Sequence, residues 1–309
     1  MAKELVFGHQ NPDTDAICAA ISYAYLQKQL GYDAEAVALG EPNEETKYVL
    51  DHFNQEAPRV ITRASDEVEK VMLVDHNEPQ QSVSDIADVQ VTHVVDHHRI
   101  NNFNTSDPIF YRAEPLGCCS TVIWKLYHEN QVAIPAEIAG LMLSSIISDT
   151  LLFKSPTTTQ TDRDAVKDLA EIANVDYEVY GLDMLKAGTD LSSKSEQELI
   201  DMDAKTFELS GKKVRVAQVN TVDLDSVLAR QANFETVINA ENSAEDYDLF
   251  VLLITNILNS DSEAIVIGSE TGLTAFEKAF AKKIVNNRVL LPGVVSRKKQ
   301  IVPQLTEAY

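Results

Sequence analysis

The sequence predicts an α/β protein of two domains. The larger, amino-terminal domain has a mostly parallel sheet flanked by helices, and the smaller, carboxy-terminal α/β domain has a mixed sheet. Three observations carry this expectation. Short apolar strands alternate with helical periodicity through the first half. The chain has 309 residues, 44% of them hydrophobic and 24% charged, enough for two cores. The pattern then changes after a small, polar stretch, "AGTDLSSKS", at residues 187–195. The expected boundaries are 1–188 for the first domain, 189–195 for a linker and hinge, and 196–309 for the second.

The elements follow in order. "KELVFGH" reads as a buried strand. Asp15 to Leu30 reads as a helix with Ile17, Ala20, Ile21, Ala24 and Tyr25 on its apolar face, ended by Gly31. "DAEAVALG" is a second strand, and "NEETKYVLDHFN" a helix that starts at an Asn. "VEKVMLVDHNE" and "VTHVVDHHR" are apolar strands that end in charged residues. Helices are expected over Ser120–Asn130 and Ala136–Ser148, the second ending at "SDT". Beyond the linker, "KTFELSGKKVRVAQVN" reads as a hairpin turning at "SGK". Residues 223–242 read as a helix, and "YDLFVLLITNILNSDSEAIVIG" as two strands around an "NSDS" turn.

The formal net charge is −22. That argues against a large nonspecific nucleic-acid surface, while leaving room for a small anionic substrate held by cations in one cleft. No apolar run is long enough for a membrane span, and no secretory signal pattern opens the chain. The three cysteines, Cys18, Cys118 and Cys119, are an odd number without CxxC spacing. They read as small core residues in a reducing compartment, so a cytoplasmic location is expected.

Three strand ends carry metal-ligand chemistry: "GHQNPDTD", "VDHN" and "VDHH". In an open parallel sheet, ligands bind outside the carboxyl ends of the strands, so these clusters should share one edge. His9, Asp13, Asp15, Asp75, Asp96, His97, His98 and Asp149 each stand at or just past the end of an apolar segment. Carboxylates suit hard divalent cations, and a few imidazoles shift the preference from Mg2+ toward Mn2+, Co2+ or Zn2+. So many acids at one edge repel one another unless cations neutralise them, and two metals fit the ligand count better than one. The competing roles are structural. Asp15 could cap the following helix, Asp13 could stabilise the turn after Pro12, and Asp96 could orient a ligand instead of binding metal. His52, His76, His93 and His128 read as surface or packing residues.

Together, "GHQNPDTDA", "VDHN", "VDHHR" and "SDT" resemble the phosphoesterase superfamily named for its Asp-His-His motif. "SRKKQ" near the carboxyl end narrows the resemblance to the family II, manganese-dependent inorganic pyrophosphatases, over essentially the whole chain. The resemblance implies that His9, Asp13 and Asp75 bind one metal, and that Asp15, Asp75, His97 and Asp149 bind a second, with Asp75 bridging. It implies that His98 protonates the leaving phosphate and touches substrate, that Asp96 stands behind the ligands, and that Lys205, Arg297 and Lys298 hold the phosphates. It also implies two Mn2+ per subunit, with Co2+ or Mg2+ as substitutes and further Mg2+ or Mn2+ arriving with substrate. A homodimer formed through the first domain's sheet follows from the same resemblance.

The expected activity is hydrolysis of pyrophosphate to two phosphates. Phosphoryl transfer is catalysed mainly by positioning and charge neutralisation, and water bridging two divalent ions loses its proton near neutral pH. Metals on one domain and cations on the other imply an interdomain cleft that closes on substrate. The nearest alternatives are a phosphodiesterase or exonuclease, or an exopolyphosphatase, of the same superfamily. The nucleic-acid-directed relatives typically carry a "GGGH"-type segment, which this chain lacks. A non-enzymatic metal-binding protein would explain the acidic cluster but not the cations of a separate domain.

Overall fold

The computed structural model describes residues 2–309. The chain divides into two compact units, one ending at Gly188 and one running Thr189–Tyr309.

The first unit is built from β1 (Lys3–Phe7), α1 (Thr14–Gln29), β2 (Asp33–Ala36), α2 (Glu44–His52), β3 (Lys70–Val74), β4 (Gln90–Asp96) and β5 (Phe110–Ala113), followed by the helices α3 (Cys119–Glu129), α4 (Ala136–Thr150), α5 (Gln160–Ala173) and α6 (Tyr177–Gly188). The sheet order is β2-β1-β3-β4-β5, and every neighbouring pair is parallel. All five carboxyl ends therefore face one edge. The chain leaves β1 for β2 on one side and then crosses to β3 on the other. That reversal opens a crevice between β1 and β3, the usual binding place in such sheets.

Local chemistry sets the first crevice wall. Asp13 caps α1 by accepting from the Ala16 N–H at 3.0 Å, so the helix begins at Thr14, one residue earlier than expected. A side chain at Gly8 would meet the Ala16 backbone at 2.6 Å, so only glycine lets β1 run this close to the helix. The apolar face of α1 also differs from the expected one. Ile17, Ala20 and Ala24 are buried, but Ile21 and Tyr25 are only partly covered, whereas Ala16, Ala19, Tyr23 and Leu26 are buried. The helix is enclosed on most sides by the sheet, α3 and α4, so no single stripe marks its inner face.

The second unit contains α7 (Glu196–Met202), β6 (Ala204–Leu209), β7 (Lys212–Thr221), α8 (Leu224–Leu228), α9 (Gln231–Glu245), β8 (Leu249–Asn256), β9 (Asp261–Gly268), α10 (Glu270–Phe280), β10 (Arg288–Leu291), a π-helical turn at Arg297–Ile301, and α11 (Val302–Ala308). Its sheet order is β10-β9-β8-β7-β6, with β7 and β8 parallel and the other pairs antiparallel. The β6–β7 hairpin turns at Ser210 and Gly211, both left-handed, as a two-residue turn requires. The central strand β8 is buried on both faces: Phe250, Leu252 and Ile254 enter one core, Leu249, Val251 and Leu253 the other. The helix expected over 223–242 is two helices, broken between Leu228 and Gln231.

In the stretch "AGTDLSSKS", Ala187 and Gly188 still belong to α6, and Ser195 already caps α7 in a reciprocal pair with Glu198. Among the described residues no helix is long and apolar enough to cross a membrane.

Candidate metal centre

Three of the sheet's strands end in the charged clusters, and the structure gathers their side chains at one edge. His9 and Asp13 follow β1, Asp75 follows β3, Asp96 closes β4, and His97 and His98 come next. Asp15 lies in the first turn of α1, and Asp149 in the last turn of α4.

Asp75 is the meeting point. Its Oδ2 lies 3.4 Å from His9 Nε2, and its Oδ1 lies 3.2 Å from His97 Nε2. His9 Nε2 is also 3.5 Å from Asp13 Oδ2, while His97 Nε2 is 3.8 Å from Asp149 Oδ2. Donor atoms of His9, Asp13 and Asp75 gather within 4.8 Å of one another, as do those of Asp15, His97 and Asp149, and those of Asp75, His97 and His98. Asp75 adopts a left-handed backbone, φ 57°, uncommon outside glycine although aspartate accepts it more readily than most residues. Its N–H bonds to Val95 O at 3.0 Å, and the His76 ring reaches back to Val74 O at 2.9 Å. Just past Asp149, Leu151, Leu152 and Phe153 are all left-handed as well, so backbone strain gathers at both ends of this cluster.

The donor set fits hard or borderline divalent cations. His9 Nδ1 faces Gln10 O at 2.8 Å and His97 Nδ1 faces Leu116 O at 3.1 Å. With the Nδ1 proton placed there, each Nε2 presents a lone pair to the carboxylates' side. Asp75 Oδ1 is buried with no hydrogen-bond partner, the kind of orphaned acceptor a cation satisfies. Asp15 is held from behind, its oxygens accepting from Cys119 N–H and Ser120 Oγ, both at 2.8 Å.

The electrostatics are those of a crowded anionic site. Burial and the charge of Asp75 push Asp15 up to about 6, and burial with Asp15 and Asp75 pushes Asp149 well above the carboxylate range. Burial disfavours the charged form of His9, but Asp13 and Asp75 outweigh it and raise the imidazole to about 11. His97 follows the same pattern, raised to about 9 chiefly by Asp75 against burial. Burial would raise Asp75, yet the close imidazoles of His9 and His97 hold it well below the usual range. The raised values of Asp15, Asp149, His9 and His97 favour protonation of an anionic cluster that cations would otherwise neutralise.

Asp96 sits behind this layer, fully buried. Its Oδ1 accepts from the backbone N–H of His97 and His98 and lies 3.0 Å from His98 Nδ1. That bond raises His98, whose side chain is half-exposed. Asn77 donates to Asp96 Oδ2 at 2.6 Å.

In the second unit, Arg297 opens the π-helical turn, and its Nη2 donates to Asp203 Oδ1 at 2.7 Å. Asp203 immediately precedes β6, which carries the exposed Lys205, and Lys298 is exposed beside Arg297.

Comparison with known proteins gives the chain its family. Residues 3–146 match the model of the DHH family, N-terminal domain, and residues 182–308 that of the DHHA2 domain. The chain is 69% identical over its whole length to a probable manganese-dependent inorganic pyrophosphatase of Lactiplantibacillus plantarum, covering 99% of that protein. It is 66% identical to one of the same description from Enterococcus faecalis, with both chains covered fully. A crystal structure of a putative family II inorganic pyrophosphatase from Methanococcus jannaschii matches at 40% identity and a TM-score of 0.63, with 99% of each chain covered. The chain belongs to the family II inorganic pyrophosphatases.

In this family II chain, several residues that shape the centre carry no sequence signal of their own. Asn77 stands inside "VDHN", but only the fold reveals that it bonds Asp96. Ser120 and the Cys119 N–H reach Asp15 from more than a hundred positions away. Asp203 looks like one acid among many. The three cysteines are free and buried, and Cys119 Sγ donates to Val95 O at 3.1 Å. His76 is fully buried, and His93 packs its ring near Tyr23, Tyr32 and Phe110.

Proposed function

We propose that this chain hydrolyses inorganic pyrophosphate to two phosphates in a manganese-dependent reaction at the β1–β3–β4 edge. The observation that carries the reading is that the two oxygens of Asp75 face two separate imidazoles, His9 and His97. One carboxylate so placed serves two neighbouring cation sites. His9, Asp13 and Asp75 would hold one Mn2+, and Asp15, Asp75, His97 and Asp149 the other. Co2+ or Mg2+ would substitute, and a further Mg2+ or Mn2+ would arrive with substrate. When bound, such a cation pair supplies Lewis acidity toward water and phosphate oxygen.

The chain's own residues supply the rest. His98, backed by Asp96, delivers a proton to the leaving phosphate, because its Nδ1 is committed to Asp96 and its other nitrogen is free. Arg297 grips phosphate oxygens with a planar fork of donors, while Lys205 and Lys298 act as point charges. Buried acids gather in one unit and these cations in the other, a division suited to a small, highly charged substrate. Reaction would then require both sets to engage one pyrophosphate, with residues 189–195 as the hinge. Small-angle scattering with a nonhydrolysable analogue should show compaction, and an unchanged profile would count against the hinge. The family resemblance supports a homodimer through the first unit's sheet and a cytoplasmic location.

The test is phosphate release from pyrophosphate, a long polyphosphate and a dinucleotide, each with Mn2+, Mg2+ or chelator. Pyrophosphate with Mn2+ should lead by a wide margin. A preference for polyphosphate or the dinucleotide would overturn the reading.

A further inference from the structure

The second unit's sheet carries a row of buried polar side chains next to the apolar core on one of its faces. Val216 on β7, Leu253 on β8 and Ala264 on β9 enter one hydrophobic core. Two positions along the same strands, and so on the same face, stand Gln218, Thr255 and Ser262. They are 9%, 2% and 0% exposed. Thr255 and Ser262 are direct cross-strand partners.

The row is fully bonded and has one direction. Ser262 Oγ donates to Val294 O at 2.6 Å, so its proton is committed. The Thr255 hydroxyl, 2.8 Å from Ser262 Oγ, must then donate to it, and it accepts from Gln218 Nε2 at 3.0 Å. The same Nε2 reaches Val295 O at 3.0 Å, and Gln218 Oε1 accepts the Arg297 N–H at 3.0 Å. A carbonyl only accepts and an N–H only donates, so the amide has one allowed orientation. The backbone N–H of Gln218 bonds Asp203 O at 2.9 Å, and Asp203 is the carboxylate that holds Arg297 Nη2. Position 218 thus meets Arg297 through its side chain and Asp203 through its backbone N–H, the second a bond that any residue but proline would keep.

Buried polar groups are costly unless bonded, and apolar residues of similar shape would serve a core at least as well. Apart from Asn220 Oδ1, 3.3 Å from Gln218 Nε2 on the same strand, the row's outward partners are backbone groups at 294, 295 and 297, in the segment that carries Arg297 and Lys298. We propose that Gln218, Thr255 and Ser262 are positioning residues that fix the pose of Arg297 on a rigid sheet and thereby set affinity for pyrophosphate. This rests on the reading of Arg297 as a phosphate ligand.

The test uses the full chain loaded with Mn2+ and compares Gln218→Met, Thr255→Val, Thr255→Ser and Arg297→Ala. Gln218→Met and Thr255→Val should each raise KM for pyrophosphate about 3–10-fold, the worth of one hydrogen bond, with kcat and Mn2+ affinity close to wild type. Thr255→Ser keeps the hydroxyl and should restore KM. If Gln218→Met fails to fold, the Thr255 pair decides. A rise in KM for Arg297→Ala, together with Thr255→Val that loses thermal stability but keeps wild-type KM, overturns the positioning role alone. An unchanged KM for Arg297→Ala overturns the phosphate-ligand reading, and this inference with it.

Discussion

The side-chain amide of Asn77 lies 2.6 Å from Asp96 Oδ2, tying the end of β3 to the end of β4. The same amide nitrogen donates to Arg99 O at 2.9 Å, and Asn77 Oδ1 accepts from the Asn101 N–H at 3.0 Å. The loop that carries both histidines is therefore held to the strand that carries Asp75. Asn77→Ala should leave Asp96 Oδ2 buried and unpaired, a loss of about 1–3 kcal/mol. Denaturant unfolding measures that loss, and turnover should fall because His97 and His98 lose their register. Asn77→Asp should be worse at neutral pH, where two carboxylates meet, and should recover as pH falls and the introduced carboxyl regains a proton to donate. A deficit that grows on acidification would contradict this.

Asp75→Asn should abolish both cation sites together, because one carboxylate faces both imidazoles. Manganese affinity should drop by more than about 100-fold, the upper range for losing a group that merely supports a ligand. Calorimetric titration distinguishes this from the loss of a single site. One ion retained at wild-type affinity would exclude a shared carboxylate.

Cation uptake should release protons and strengthen as pH rises. In the metal-free chain His9 is raised to about 11, His97 to about 9 and Asp15 to about 6, so near neutral pH the two imidazoles hold protons that a metal must displace. The sign for stability follows. Each of these folded-state values lies above its unfolded value, so the stabilisation is complete below the unfolded values and is lost as pH rises through about 6, 9 and 11. The metal-free chain should therefore melt lower at pH 9 than at pH 6, while Mn2+ should reverse that trend. Titrations in buffers of different ionisation heat count the protons, and affinity independent of pH would refute the assignment.

Arg297→Lys should weaken substrate capture without touching the metals. An ammonium cannot reproduce a planar fork, and losing a charge-assisted bond of about 1.5–3 kcal/mol corresponds to about 10–100-fold in kcat/KM. Manganese titration should match the wild type. Loss of an ion in this variant would break the division of labour between the two units.

Much of the fold is legible in the sequence because its strands are buried on both faces and end abruptly in charge. β1, β3 and β4 announce themselves as apolar runs, and their ends carry the residues that the sheet edge gathers. β5 is not legible: Phe110–Ala113 is a four-residue edge strand with two exposed positions, too short and too wet to differ from a loop. The face of α1 misleads for the opposite reason, since a helix covered on most sides has no polar stripe to mark its back. Within the candidate metal centre, carboxylates and histidines are visible as residue types, but their supports are not. Ser120 looks like any helix-start serine, and Gln218, Thr255 and Ser262 look like outward-facing positions of a strand. What distinguishes them is the backbone they meet, which only the folded chain brings near.

The parallel sheet that gathers these ligands draws them from residues 9 to 149, so no short stretch of the chain contains a complete site. A cation held there closes loops that run through most of the first unit. Such a cation would act as a checkpoint on folding as well as a reagent: a copy with β4 misplaced would lack His97, which gathers with Asp15 and Asp149. Manganese retention by that group would then report on the correct placement of α1, β4 and α4, which carry or precede its members.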